Sequence, residues 1–204
     1  MSPLSLPRRD FIKSGGSLVV GFSVFGRGGA SFAQERSASS LRAVVAGPPD
    51  QKLIDTWIAV HADNTATAYI GYVELGQGTS TALLQIAAEE LDFEMSQMSS
   101  VRLDTHVTPN QGATVASASI ERGGLQIRAA AAEARQALLT LASQRLNAPI
   151  GQLTVSKGVV SVAGDTARSV RYGDLLGDKP FNVPFTGNAP QKPVSQYTIV
   201  GARH

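Results

Sequence analysis

The chain has 204 residues, three histidines, no cysteine and a formal net charge of +2. The lack of cysteine excludes disulfides, thiol nucleophiles, iron–sulfur ligation and Cys-based zinc sites together. Arg8, Arg9, Lys13 and Arg27 stand against Asp10 alone in the first 33 residues, so the remaining chain carries −1 and has no basic patch suited to nucleic acid.

Residues 1–33 read as a twin-arginine signal peptide. Pro7-Arg8-Arg9-Asp10-Phe11-Ile12-Lys13 is followed by an uncharged, Gly- and Ser-diluted run from Ser14 to Phe25, and Ser31-Phe32-Ala33 offers small residues for cleavage after Ala33. The apolar run falls short of the ~20 residues that cross a bilayer as a helix, so no stable membrane span is expected. Export to the periplasm follows from this reading. Residues 34–54, with Gly47-Pro48-Pro49-Asp50, lack periodicity and read as a linker. The 171 residues after Ala33 suffice for one domain with a core.

That domain is expected over residues 55–177, with an α+β fold of short strands and two main helices. Trp57 to His61 and Thr65 to Ile70 flank Ala62-Asp63-Asn64, the pattern of a β-hairpin. After Gly76-Gln77-Gly78, the hydroxyls of Thr79, Ser80 and Thr81 are capable N-caps, and Leu83, Ile86, Ala87 and Leu91 recur at helical spacing. Glu89, Glu90 and Asp92 read as the solvated end of this helix, and Ser99 to Leu103 as a third strand. The Ala-rich segment from Leu125 to Leu146 is the strongest helix, with Ile127, Ala131, Ala134, Leu138, Leu141 and Ala142 as its buried stripe and Arg128 and Arg135 elsewhere. Its start, at Ser117 or after Gly123-Gly124, is open. A second hairpin is expected at Leu153 to Val155 and Val159 to Val162, then a short helix from Tyr172 to Leu176. Residues 178–204 contain Pro180, Pro184, Pro190 and Pro193 and read as an extended tail.

Two polar segments carry the chemistry. Val-Glu-Leu-Gly-Gln-Gly-Thr at 73–79 and Pro-Asn-Gln-Gly-Ala-Thr-Val-Ala-Ser-Ala-Ser at 109–119 each run into a helix-like stretch. Glycines admit close approach, and first-turn N–H groups with the helix dipole favour an anion, so the pair suggests a cradle for a phosphate-bearing cofactor. Glu74 reads as a cap beside a tight turn rather than a general base. His61, His106 and His204 form neither a metal-binding set nor part of a triad.

From Glu74 to Gly124 the sequence resembles the molybdopterin-binding large subunits of the xanthine dehydrogenase family, with their Glu-x-Gly-Gln-Gly turn and later Pro-Asn-x-x-x-Thr-x-x-Ser-x-Ser run. Within it, the isoquinoline 1-oxidoreductase and nicotinate dehydrogenase type of large subunit is most similar. The resemblance implies that Gly76, Gln77 and Gly78 lie against the molybdopterin and that Thr114, Ser117, Ala118 and Ser119 hold the pterin and its phosphate. The metal is then bound by the pterin's dithiolene rather than by protein side chains, and the cofactor can be a cytosine dinucleotide. The implied reaction is hydroxylation of N-heteroaromatics, or oxidation of aldehydes, with water as oxygen source.

Large subunits of that family are several times longer and place the catalytic glutamate near the far C-terminus, so no catalytic residue is assigned in these 204 residues. The expected reading is an N-terminal fragment or split piece of a large subunit, inactive alone. Its expected partners are the remainder of the molybdenum subunit, an iron–sulfur small subunit and a cytochrome c subunit. The other reading is an exported non-enzymatic binding or assembly module that keeps the fold without the chemistry.

Overall fold

The computed structural model describes residues 49–202. The signal peptide read at 1–33, and the linker as far as residue 48, lie outside the described residues.

Strands β1 (Ile58–Val60) and β2 (Ala66–Ile70) form an antiparallel hairpin, and β3 (Met98–Arg102) lies parallel to β2, giving the order β1-β2-β3. Parallel neighbours cannot be joined by a tight turn. The chain therefore crosses from the end of β2 to the start of β3 through helix α1 (Thr79–Leu91), and residues 71–78 sit where it leaves the sheet. Ala66, Thr67, Ala68 and Ile70 are all buried, so β2 is covered on both faces.

Helix α2 (Ala118–Glu121) is a single turn, and α3 (Gly123–Leu146) starts after Arg122, which settles the open helix start in favour of two pieces. Along α3, Ala130, Ala131, Ala132, Glu133 and Ala134 are consecutive and all buried. No one-sided stripe could produce that run. Alanine side chains are small enough for α1 to pack against one side of α3 while other elements cover the rest. Ile127, Leu138 and Ala142 join Leu83, Ala87 and Leu91 of α1 and Ile58, Val60 and Ile70 of the sheet in one core.

Past α3, β4 (Leu153–Ser156), β5 (Val159–Val162) and β6 (Asp165–Arg171) form an antiparallel sheet, followed by α4 (Tyr172–Leu176). The sequence pattern anticipates both strands of the hairpin and α4, but not β6. Along β6 only Val170 is sheltered, so its residues carry no alternation to detect. Residues beyond α4 form an extended strap over the helices, with a single 3₁₀ turn at Val194–Gln196.

Glu89, Glu90 and Asp92 are not a solvated end. Glu89 and Glu90 are 2 % and 0 % exposed, and they hold the strap. Glu89 accepts the backbone N–H groups of Thr198, Ile199 and Val200 at 2.9, 2.6 and 3.0 Å, and Glu90 accepts the Lys192 N–H at 2.9 Å. Arg128 donates to Glu90 at 2.7 Å, Arg135 to Asp92 at 2.8 Å, and the Lys192 ammonium reaches both Glu89 and Asp92. Buried charges persist only when paired and hydrogen-bonded. The two arginines of α3 and one strap lysine meet that condition here.

Candidate functional site

Where β2 ends, the two polar segments lie side by side. An added Cβ on Gly71 would stand 1.9 Å from the Pro109 carbonyl oxygen, so only glycine permits the approach. The Gly71 N–H donates to Gln111 Oε1 at 2.8 Å, and Gln111 Nε2 donates to Gln126 of α3 at 3.3 Å. Two residues on, the Val73 N–H donates to Thr114 Oγ1 at 2.9 Å, and that hydroxyl lies 3.3 Å from the Val73 carbonyl. Thr114 thereby takes the place of a paired strand residue and fixes the register of the second segment against the first.

Between these ties the first segment curls into a turn. Gly76 and Gly78 have φ of +93° and +76°, and a Cβ at either would meet nothing within 4 Å, so glycine is required for backbone conformation rather than for space. Gln77 folds back on its own turn: its Oε1 accepts the Leu75 N–H at 2.6 Å, and its Nε2 donates to the Val73 carbonyl at 3.2 Å. One amide hydrogen of Gln77 is left over, held in place by the other two bonds.

Three N–H groups at the start of α1 do not face an open cradle. Glu74 Oε1 accepts those of Gly76 at 2.9 Å and Gly78 at 3.0 Å, and Oε2 accepts that of Ser80 at 2.9 Å. The Ser80 N–H foremost, with those of Gly78 and Gly76, holds the Glu74 carboxyl below the usual glutamate value. A carboxylate four residues before Gly78 is the sequence signal for this arrangement, and Glu74 is the cap that its place beside a tight turn suggests. Of the donors expected to point at a ligand, the Gly76, Gly78 and Ser80 N–H groups are instead taken by that carboxylate.

In the second segment, Ala116 and Ser117 both adopt positive φ, +46° and +61°, which non-glycine residues rarely do. Ser117 is exposed at the N-cap of α2, while Ala118 and Ser119 are buried in its first turn. The structure thus brings Gly76, Gln77, Gly78 and Thr114 together, and sets Ser117, Ala118 and Ser119 at the turn that leads into α3.

The same end exposes apolar side chains. Of six large hydrophobic residues exposed among the described residues, Leu75, Val115, Ile120 and Leu125 belong to these segments or to the helix starts beside them. Two clefts among the described residues, about 550 and 690 Å³, lie elsewhere, one beside Glu89, Phe93 and Lys192 and the other between α3 and the strap. The Gly-rich end is an open wall, not an enclosed pocket.

Residues 71–80 and 109–119 fit an uncharged, hydrogen-bonding ligand edge: bare glycine backbone, a spare Gln77 N–H and the exposed Ser117. Among the described residues no three His, Asp or Glu side chains converge on a possible metal ion.

Comparison with known proteins points the same way. The chain is 39% identical over 145 residues to the B subunit of nicotinate dehydrogenase from Pseudomonas putida, covering 71% of this chain and 12% of that protein. It is 30% identical to the beta subunit of isoquinoline 1-oxidoreductase from Brevundimonas diminuta, covering 94% of this chain and 25% of that one. The chain therefore spans a quarter or less of the length of these relatives. Its fold matches part of CO dehydrogenase from Oligotropha carboxidovorans, with a TM-score of 0.53 at 23% identity over 59% of this chain and 15% of that one. Residues 21–197 match the molybdopterin cofactor-binding domain, and the chain belongs to that family.

Proposed function

We propose that this chain forms one wall of the molybdopterin site of a molybdenum hydroxylase large subunit. The observation that carries the reading is the pairing of the two segments through Gly71–Gln111 and Val73–Thr114, which leaves Gln77 immobilised with a free N–H beside an exposed apolar rim. Gly76, Gln77 and Gly78 would contact the pterin. Thr114, Ser117, Ala118 and Ser119 would set the second segment against it, in a cofactor that includes a cytosine dinucleotide.

Bound, the molybdenum cofactor supplies a two-electron oxidation. A ring C–H or aldehyde C–H is replaced by C–OH with oxygen from water, releasing two protons and two electrons. N-heteroaromatics and aldehydes are the proposed substrates, and the electrons pass to an iron–sulfur subunit or a cytochrome c subunit. The residues of this chain bind and orient the cofactor and exclude water at one face. The base for the reaction belongs to the remainder of the molybdenum subunit. Arg8-Arg9 before Phe11 supports twin-arginine export to the periplasm, and replacing both by lysine should hold the precursor in the cytoplasm. No helix among the described residues is long and apolar enough to cross a membrane.

The test compares Gln77→Ala with Gln85→Ala, which removes the same amide from the body of α1. In the assembled large subunit, losing the Gln77 donor should cost about 1–3 kcal/mol, roughly a five- to hundredfold loss of cofactor affinity. Molybdenum per complex is the measurement. Equal occupancy in the two variants would reduce Gly76-Gln77-Gly78 to an ordinary helix-start turn.

A further inference from the structure

A glycine-bracketed turn opening a helix of 13 residues is the kind of place that binds phosphate, because several N–H groups and the positive end of the helix dipole converge there. In this chain three of those N–H groups are already satisfied from within. The Gly76, Gly78 and Ser80 N–H groups all end on the two oxygens of Glu74, at 2.9–3.0 Å. The left-handed conformations of Gly76 and Gly78 turn those groups inward. Gln77, between them, is tied to Leu75 and Val73.

We propose that Glu74 is a specificity-determining residue. Its carboxylate fills the oxyanion position at the N-terminus of α1, closes that position to phosphate, and leaves the turn to meet only an uncharged part of a ligand.

The reasons are electrostatic. A phosphate seeking the same N–H groups must displace Glu74, and a phosphate merely near it meets a like charge within a few ångströms. The second Gln77 amide hydrogen remains on the turn as a neutral donor and suits an acceptor such as a carbonyl or ring nitrogen. With respect to the cofactor the proposal rests on the function proposed above. With respect to Glu74 it stands on the geometry alone.

The experiment uses the full chain and inorganic phosphate, without molybdenum cofactor, so that its result is independent of whether the chain holds molybdopterin. Backbone amide resonances of Gly76, Gly78 and Ser80 are followed by NMR during phosphate titration of wild type and Glu74→Ala. The expected result is no saturable shift in wild type and a saturable shift in the variant, with affinity at least about tenfold above any wild-type response. Equal response of both proteins, or none in the variant, overturns the proposal. Should Glu74→Ala fail to fold, the wild-type protein provides the second measurement. Its Gly76, Gly78 and Ser80 amide protons should shift together with the Glu74 side-chain carboxyl carbon as that group titrates, at a pH below ordinary glutamate. Shifts of the three amides that do not follow that carbon overturn it equally.

Discussion

Helix α1 meets carboxylates at both ends, and the two ends are built differently. At the N-terminus, Glu74 accepts three backbone N–H groups from an exposed turn, where the helix dipole favours negative charge. At the C-terminus, Glu89 likewise accepts three backbone N–H groups, but it is buried, and the dipole opposes its charge. The second arrangement persists because Lys192, Arg128 and Arg135 bring three positive charges to Glu89, Glu90 and Asp92. One hydrogen-bonding device thus serves two purposes. Where the helix terminus stabilises the anion, one carboxylate suffices and the surface stays open for a ligand. Where it does not, a cluster of cations is required and the result is a structural lock.

The largest expected effect tests that lock. Glu90→Ala removes a buried carboxylate that accepts from both Arg128 and the Lys192 N–H, and should cost about 3–5 kcal/mol, read as a fall in the urea midpoint. Glu74→Ala, at the exposed end, should shift the same midpoint far less. Comparable losses at the two sites would remove burial as the difference between them.

Next is the contact that joins the polar segments. Gly71→Ala forces a Cβ towards the Pro109 carbonyl oxygen, and the backbone must separate. A loss of about 1–3 kcal/mol is expected, with amide shifts concentrated at Gln111 and Thr114. Unchanged shifts there would mean that the close approach does not hold the segments together.

Acid should open the strap before it reaches the core. Burial alone would raise the Glu89 carboxyl, but the N–H groups of Ile199, Val200 and Thr198 and the Lys192 ammonium outweigh it and hold the group below its ordinary value of 4.5. A lowered folded-state value means that Glu89 contributes stability above pH 4.5 and loses it as pH falls through the folded value. The amides of Thr198 to Val200 should therefore lose hydrogen-exchange protection on acidification while those of α3 keep theirs. Simultaneous loss in both would show that strap and core are one cooperative unit.

The smallest effect is expected from Thr114→Val, which keeps shape but removes the hydroxyl paired to Val73. About 0.5–1.5 kcal/mol is anticipated. A neutral result would assign the register of the second segment to Gln111 alone.

Much of this organisation is legible in the residues. Ala62-Asp63-Asn64 marks the first hairpin turn, the alanines and Ile127 mark α3, and Tyr172 to Leu176 is the short helix seen in the structure. The third strand is legible as a strand, but its parallel pairing to β2 is not, because pairing direction depends on where the crossover returns the chain. Glu89, Glu90 and Asp92 resemble a polar helix end because the groups that neutralise them lie 38 to more than 100 residues away on α3 and the strap, at separations no local pattern records. At the polar segments, glycine and hydroxyl content locates the turns, while the bonding within them depends on which oxygen reaches which N–H. Glu74 is four positions from Gly78, close enough in sequence for that reach to be anticipated from turn geometry.

The strap also determines when the two main helices can finish packing. Glu89 waits for Ile199, 110 residues later, and Asp55 for Asn182, 127 residues later. Until those residues emerge during synthesis, the acidic end of α1 must remain hydrated, and α1 and α3 cannot bury their shared charges. Pairings of such long range incur their loop-closure entropy before they return any energy, so docking of the strap should follow the packing of α1 against α3. A nascent chain released before residue 192 would hold both sheets and all four helices with Glu89, Glu90 and Asp92 short of the Lys192 ammonium and its N–H donor.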